Sequence, residues 1–196
     1  MAASDFNVSK LKTALVRGGA RPSLFEFEVT GLPADSAITT GLNNIKYFCH
    51  VSALPALSLT PIEKQYFGRT VKIPGDIVFA DLTTTIFQTE KGNERFEIES
   101  WMDQINGHVH NTGSLDSSSS ANFTSKYSAT GILYQYPKSG KTTTAGILST
   151  VKFIDMWPTV VAEIPLSYDT ASDIEQFDVT WAYQYYTAKI GSDSYI

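Results

Sequence analysis

The sequence predicts a mainly β fold, namely an antiparallel β-sandwich or barrel with one flanking α-helix and a short N-terminal helix. In many short segments apolar and polar side chains alternate with a period of two, as in strands that bury one face. Turn sequences such as Gly31-Leu32-Pro33 and Pro74-Gly75-Asp76 separate several of these segments. Only two segments show a helical period instead. Many short strands with turns between them favour an antiparallel architecture.

The strand predictions follow this alternation along the chain. Leu24–Thr30 alternates apolar with polar residues, and the longest such run extends from Phe177 to Tyr186. Each run can bury one face and leave the other to solvent or to a neighbour. The remaining predicted strands are, in chain order, Ile45–Val51, Val71–Ile73, Leu82–Gln88, Ser128–Tyr136, Leu148–Ile154 and Glu163–Tyr168.

Two segments are predicted to be helical. Between Glu94 and Gly107 the apolar residues recur at helical spacing and form one stripe, at Ile98, Trp101, Met102 and Ile105. Asn93 can cap the start of this helix and Gly107 can end it. A shorter helix is predicted from about Val8 to Val16, and it needs packing partners to be stable.

Length and composition exclude several classes of protein. The chain of 196 residues fits one domain, 1–196, which can bury a sizeable core without disulfides or metals. Its 15 basic and 20 acidic residues give a net charge of −5, so it lacks the basic surplus of a DNA-coating protein. One cysteine excludes a disulfide framework. With neither a signal peptide nor a long apolar run, we expect no membrane anchor.

Two stretches of unusual composition bear on the surface. Residues 108–125 form a serine-rich segment that we expect to be a surface loop. Residues 126–152 contain four lysines and no acidic residue. From Asp155 to the end of the sequence there are seven acidic residues and only one basic residue, Lys189. These blocks are either two solvated faces or two complementary surfaces that would suit head-to-tail self-association.

The motifs that could carry chemistry are incomplete. Gly140–Thr142 lacks the upstream glycine of a phosphate loop, so a hairpin tip is the better interpretation. His108 and His110 have no evident third metal ligand, and the acids of 173–178 lack the spacing of a calcium loop. Cys49 lies in an apolar segment, where a thiol acts as a small hydrophobe. We therefore predict no catalytic, cofactor-binding or metal-binding residue and no enzyme.

The segment Pro61–Asp81 has more apolar and aromatic residues than a solvent-exposed loop should have. It also carries basic residues, including Arg69, and glycines at 68 and 75. Two interpretations remain open from the residues alone. The segment is either an ordinary core hairpin or an arm that buries its tip in another subunit.

Several short motifs, taken in order, make the chain resemble the tail tube proteins of contractile-tailed bacteriophages. The motifs are Ala20–Phe25 (ARPSLF), Cys49–Pro55 (CHVSALP), the set Arg69, Gly75, Asp76, Phe79 and Asp81, then Met156–Thr159 (MWPT) and Ile174–Trp181 (IEQFDVTW). Together they cover most of the chain from Arg21 to Tyr186. The chain departs from the family pattern by extra length at 33–44, by the serine-rich segment and by a tail after Tyr186.

The resemblance implies a structural, non-enzymatic virion protein that folds as a small antiparallel barrel with a flanking helix. Six protomers would form a ring, and rings would stack into the inner tail tube. Expected partners are the tail sheath, baseplate and tail terminator proteins, with assembly in the bacterial cytoplasm. Double-stranded DNA would pass through the lumen without specific binding, and the net negative charge suits such a conduit.

In this family an arm corresponding to about 62–81 reaches into the adjacent ring. The residues that we predict to stack there are Ile62, Tyr66, Phe67, Arg69, Val71, Ile73 and Asp76. Within the same lineage, a baseplate protein that initiates the tube and the tube of a domesticated tail or type VI secretion particle are alternatives. A ligand-binding β-barrel with the serine-rich loop at its mouth is an alternative from another class.

Overall fold

The computed structural model describes residues 8–15, 18–32, 41–109, 127–140, 146–170 and 173–191. The helices are α1 (Val8–Ala14), α2 (Gly41–Phe48) and α3 (Asn93–Ile105). The strands are β1 (Phe25–Thr30), β2 (Cys49–Val51), β3 (Leu57–Tyr66), β4 (Arg69–Phe79), β5 (Leu82–Phe87), β6 (Ala129–Gln135), β7 (Ser149–Val161), β8 (Gln176–Ala182) and β9 (Tyr185–Ile190). A 3-10 turn, Tyr168–Thr170, precedes β8. The predicted mainly β class is confirmed.

Two antiparallel sheets share β7 and together form a nearly closed barrel. One sheet has the order β1-β6-β7-β9 and the other has the order β7-β8-β5-β2. The chain changes sheet near Asp155, whose φ is 53°. At this corner the backbone N–H of Gln184 donates to the carbonyl oxygen of Ile154 at 3.0 Å. The long strand β7 thus ties the two sheets into one body.

The core lies between the two sheets and beneath α3. Trp101 and Trp181 are fully buried, with ring centroids 6.0 Å apart. Nε1 of Trp181 donates to Oγ1 of Thr84 at 2.9 Å, and Nε1 of Trp101 donates to the carbonyl oxygen of Tyr127 at 2.8 Å. Each indole is therefore buried with its N–H satisfied, which avoids a penalty of about 1–3 kcal/mol.

The alternation predicted for β8 is confirmed side chain by side chain. Phe177, Val179 and Trp181 are buried, whereas Asp178 is exposed. Oδ1 of Asp178 accepts a hydrogen bond from Oγ1 of Thr85 on the neighbouring strand β5 at 2.6 Å. One face of the strand therefore belongs to the core and the other forms cross-strand polar contacts.

The strand predicted at Ile45–Val51 is wrong over most of its length. Residues 41–48 form α2, and only Cys49–Val51 is extended. Leu42 and Ile45, one helical turn apart, are the buried residues of α2. The backbone N–H of Leu42 donates to Oε2 of Glu97 on α3 at 3.0 Å. A buried carboxylate thus accepts a hydrogen bond from a backbone N–H in the first turn of α2, which has no partner within the helix.

Three smaller predictions also need correction. Glu163–Tyr168 is not a strand but a connection that leads into the 3-10 turn. Pro165 within it has no backbone N–H to donate to a neighbouring strand, which disfavours sheet pairing there. The run predicted from Phe177 to Tyr186 divides into β8 and β9 at a corner. Asn93 is the first residue of α3 and Gly92 is its N-cap, while the helix ends at Ile105 with Asn106 as C-cap.

Candidate functional site

Strands β3 and β4 form a hairpin that stands apart from the barrel. Among the strands that the structure describes, these two pair only with each other. Every residue of both strands is exposed except Gly75 and Phe79, which are half-buried. An ordinary core hairpin is thereby excluded. We call this hairpin, Leu57–Phe79, the arm.

The base of the arm is fixed to the corner between β8 and β9. Phe79 packs edge-on against Tyr186 at a centroid distance of 5.6 Å and lies near Tyr183 at 6.3 Å. The hydroxyl of Tyr183 donates to the carbonyl oxygen of Ala80 at 2.7 Å. Burial is the largest cause that raises the pKa of Tyr183, so its hydroxyl keeps the proton that it donates. The arm thus leaves the barrel from a defined point.

The arm tip is a two-residue turn, Phe67-Gly68, in which both residues have positive φ, 44° and 76°. This is the geometry of the type I′ hairpin turn, which favours asparagine followed by glycine. A bulky aromatic residue rarely adopts it. Phe67 is nevertheless 91% exposed, and its ring contacts only that of Tyr66 among the ring contacts in the described part of the chain, at 4.6 Å. A strained, exposed aromatic at a tip is typical of a residue kept for binding.

The strand register divides the outer half of the arm into two unlike faces. Ile62 lies opposite Ile73, Lys64 opposite Val71, and Tyr66 opposite Arg69. Directly opposed residues share a face of the sheet, so this face combines apolar side chains with two cations. The other face is polar, with Gln65 Nε2 donating to Thr70 Oγ1 at 3.0 Å and Lys72 Nζ 3.2 Å from Glu63 Oε1. We call the first of these the tip face.

A bulge in β4 moves the apolar residues to the other side of the arm. The register shifts between Leu59 and Pro61, which places Gly75 and Asp76 opposite Thr60. A Cβ at Gly75 would collide with the carbonyl oxygen of Thr60 and approach Cγ1 of Ile62 to 2.9 Å. On the base side of the bulge the apolar face is formed instead by Leu57, Leu59, Ile77 and Phe79. The arm therefore presents two apolar patches on opposite faces.

The structure brings together most of the residues that the sequence singled out. Five lie on the tip face, namely Ile62, Tyr66, Arg69, Val71 and Ile73. Phe67 forms the turn, and Asp76 lies in the bulge, away from the tip face. The exposed residues Leu57 and Leu59 precede the predicted segment, and only their pairing with Phe79 and Ile77 includes them in the arm.

A second feature is the outer face of the sheet β1-β6-β7-β9, whose charged side chains are half-buried. The inner face of this sheet contributes Phe27 and Phe153 to the core, while its outer face carries two glutamates and two lysines, at Glu26, Glu28, Lys152 and Lys189. Oε2 of Glu26 accepts a hydrogen bond from the hydroxyl of Tyr136 at 2.8 Å. Burial first, then this hydrogen bond, raises the pKa of Tyr136.

In the part of the chain that the structure describes, the residues with potential chemistry are not assembled into a reactive site. Burial raises the pKa of Cys49 to about 12, and its Sγ donates to the carbonyl oxygen of Val51 at 3.4 Å. Nδ1 of His108 lies 3.0 Å from Oδ1 of Asp103, while His110 and the rest of the serine-rich segment, 110–125, lie outside the described residues. Gly140 closes a turn onto Pro137. Within the described ranges, no three metal-ligating side chains cluster.

Comparison with known proteins assigns this chain to a family. The sequence pattern of the family described as "Phage tail tube protein" matches residues 19–189. The chain belongs to the phage tail tube protein family. Tail tube proteins are structural, so the chain is a structural virion component and not an enzyme. No helix in the described ranges is both long and apolar enough to span a membrane.

Individual relatives agree with this assignment. The chain is 29% identical over 168 residues to the tail tube protein gp19 of Enterobacteria phage T4, covering 85% of this chain and 90% of that one. Its identity to the corresponding protein of Enterobacteria phage T6 is 28% over 168 residues. The chain is thus similar to tail tube proteins of contractile phages over most of its length.

Solved structures show that the tail tube fold is shared more widely. A chain of the PVC sheath–tube complex, an extracellular contractile injection system in its extended state, matches with a TM-score of 0.59 at 14% identity, covering 94% of this chain and 98% of that chain. A type six secretion system protein matches with a TM-score of 0.50 at 12% identity, covering 85% and 83%. These likenesses concern the fold alone.

Proposed function

We propose that this tail tube protein forms hexameric rings through the free edges of the sheet β1-β6-β7-β9, and that the arm stacks these rings into the inner tail tube. The tube is the conduit through which DNA is ejected into the host. The observation that carries this proposal is the exposed arm, fixed at its base and apolar at its tip, on a barrel whose sheet β1-β6-β7-β9 ends in an unpaired strand edge on each side within the described residues.

Ring closure through these edges is supported by strand direction. β1 and β9 are the outer strands of a four-stranded antiparallel sheet, so they run in opposite directions. When the next protomer is related by rotation about a tube axis, its β1 runs antiparallel to the adjacent β9. The sheets can therefore continue from protomer to protomer as one antiparallel barrel, which removes the exposed edges at β1 and β9.

Charge at the two edges supports the same closure. The β1 edge carries Glu26 and Glu28, whereas the β9 edge carries Lys189, all on the outer face of the sheet. Bringing the β9 edge against a neighbouring β1 edge opposes charges of unlike sign, while joining two β1 edges opposes like charges. The pattern thus favours the head-to-tail order that a ring requires.

The same polar face would line the lumen, because the inner face of the sheet is already buried in the core. Its two glutamates balance its two lysines, so this wall carries no basic surplus to retain phosphates. The proposal therefore includes passage of double-stranded DNA without specific binding.

The wider assembly follows the family. We propose that the tube meets the tail sheath, baseplate and tail terminator proteins, that it assembles in the bacterial cytoplasm, and that 1–196 acts as one tail-tube domain. A tube initiator of the baseplate, or the tube of a domesticated or type VI particle, shares the fold. The relatedness to the phage T4 tube protein over 85% of the chain favours the phage tube.

The arm is tested by the Phe67→Asp and Arg69→Glu variants. A charge of the wrong sign on the tip should abolish stacking, since aromatic and arginine anchors commonly contribute about 2 kcal/mol or more to an interface. Negative-stain electron microscopy should show tubes from the wild type and at most single rings from the variants, with unchanged circular dichroism. Phe96→Asp, at an exposed site on α3, is the matched control. Normal tubes from both arm variants would refute the stacking role.

Ring closure is tested separately by Glu28→Lys. This variant should reduce the yield of rings, and Lys189→Glu in the same chain should restore it, because the swap returns unlike charges to the seam. Glu90→Lys, at an exposed site before α3, makes the same change of charge away from both edges. Rings that form equally well in all these variants would contradict closure through β1 and β9.

A further inference from the structure

The connection that leads from β7 to β8 forms an acidic groove with exposed apolar side chains. It is formed by residues 164–168 and 173–176 and has a volume of about 600 Å³. Leu166 is 81% exposed and Ile174 is 68% exposed, while Ile164 packs inward against the core. A volume of this order lies within the range of roughly 300–1,000 Å³ that is usual for binding pockets. The barrel does not need these exposed side chains for its own packing.

The groove and the arm lie at opposite ends of the same two strands. Leu82, which follows the arm, pairs with Trp181, whereas Phe87 at the other end of β5 pairs with Gln176 at the groove. The backbone N–H of Gln88 donates to the carbonyl oxygen of Glu175 at 2.8 Å, which fixes the groove at that end. Two complementary surfaces at opposite ends of a protomer can form the head-to-tail contacts that an open stack of copies requires.

The chemistry of the groove complements that of the tip face. From Glu163 to Asp178 there are five acids and no lysine or arginine, and Asp173 and Glu175 line the groove itself. The outer arm from Ile62 to Ile73 has three basic residues and one acid. Both surfaces also expose aliphatic and aromatic side chains. Opposite charge around an apolar centre is the usual arrangement of a specific interface.

The length of the arm is sufficient for this contact. The ten residues of β3, at a rise of about 3.3 Å each, extend roughly 30 Å. The six residues of β5 that separate the arm from the groove span roughly 20 Å. An arm of this length, which leaves the barrel at the end opposite the groove, can extend to the groove end of the next copy in a stack.

We propose that the groove at 164–168 and 173–176 receives the arm tip of a second copy of this chain, with Phe67 entering between Leu166 and Ile174, and Lys64 and Arg69 facing the groove acids. This inference rests on the proposed stacking of rings and adds the surface that accepts the arm. It also gives the acidic block at the end of the chain a role that composition alone leaves open.

A cysteine pair tests the docking directly. In the double variant Phe67→Cys, Leu166→Cys every protomer carries a cysteine at its tip and one in its groove. Mild oxidation of assembled tubes should then give a ladder of disulfide-linked oligomers beyond the dimer on a non-reducing gel. Cys49 contributes little background, because a pKa of about 12 keeps its thiol protonated. Either single variant should give no ladder beyond the dimer.

The control pair is Phe67→Cys, Phe96→Cys, which places the second thiol on the exposed face of α3 and should give no ladder. Tubes of the Phe67→Cys, Leu166→Cys variant that give no ladder would overturn the docking while leaving the tube function intact. A wild-type chain that forms no tube, even with a baseplate nucleus, would instead overturn the proposed function and the docking together.

If the Phe67→Cys, Leu166→Cys variant forms no tubes, a charge swap tests whether the groove accepts the arm. Glu175→Lys should abolish tubes, and Arg69→Glu in the same chain should restore them, because the swap returns unlike charges to the contact. Glu90→Lys should assemble like the wild type. Tubes from Glu175→Lys at wild-type yield, or no restoration in the double variant, would contradict the groove as the acceptor.

Discussion

The side chain of Phe67 combines a costly backbone conformation with almost complete exposure. Asparagine suits the first position of a type I′ turn better than phenylalanine does. Phe67→Asn should therefore leave the thermal unfolding midpoint unchanged or no lower, while the yield of tubes falls. Electron microscopy and a thermal melt of the same sample check both expectations. Tubes of wild-type yield would show that the ring of Phe67 is dispensable.

The buried pair formed by Trp181 and Thr84 gives a second prediction at this scale. Trp181→Phe removes the N–H that donates to Oγ1 of Thr84 and leaves that oxygen without this donor inside the core. The free energy of unfolding should fall by about 1–3 kcal/mol, measured by chemical denaturation. Tyr185→Phe, at an exposed site, should change it little. A Trp181→Phe variant as stable as the wild type would contradict the energetic role of this hydrogen bond.

At the scale of elements, the bulge at Gly75 determines which faces of the arm are apolar. A methyl group at this position has no room beside the carbonyl oxygen of Thr60. Gly75→Ala should disturb the register of the arm and reduce tube yield, while the unfolding midpoint of the barrel stays unchanged because the arm lies outside the core. Ser58→Ala, at an exposed arm position, is the control. A lowered midpoint with normal tubes would contradict this division between arm and barrel.

Sequence patterns predicted elements where the local period and the tertiary environment agree. β8 alternates cleanly, so its core residues could be identified in advance, and the apolar stripe of α3 identified Ile98 and Trp101 but not the buried Glu94 and Glu97. The helix α2 could not be identified in advance, because a contact that supports its first turn comes from Glu97, which is distant in sequence. The apolar content of the arm was visible, but its two faces depend on the bulge opposite Thr60.

At the scale of the whole molecule, the separate features fit one assembly. The unlike charges at the β1 and β9 edges suit a closed ring, and an arm and a groove at opposite ends of β5 and β8 suit a stack of rings. The net charge of −5 makes free protomers repel one another, which disfavours non-specific association before assembly. Ordering the exposed arm on docking costs free energy, so assembly should begin faster from a nucleus than from free protomers.

Electron cryomicroscopy of the purified protein at high concentration, with and without a baseplate nucleus, tests the central claim most directly. The expected result is a hollow tube of stacked hexameric rings, in which β9 of each protomer lies beside β1 of its neighbour and the arm enters the next ring. A protein that stays monomeric even with the nucleus, or a tube joined through other strands, would contradict the account.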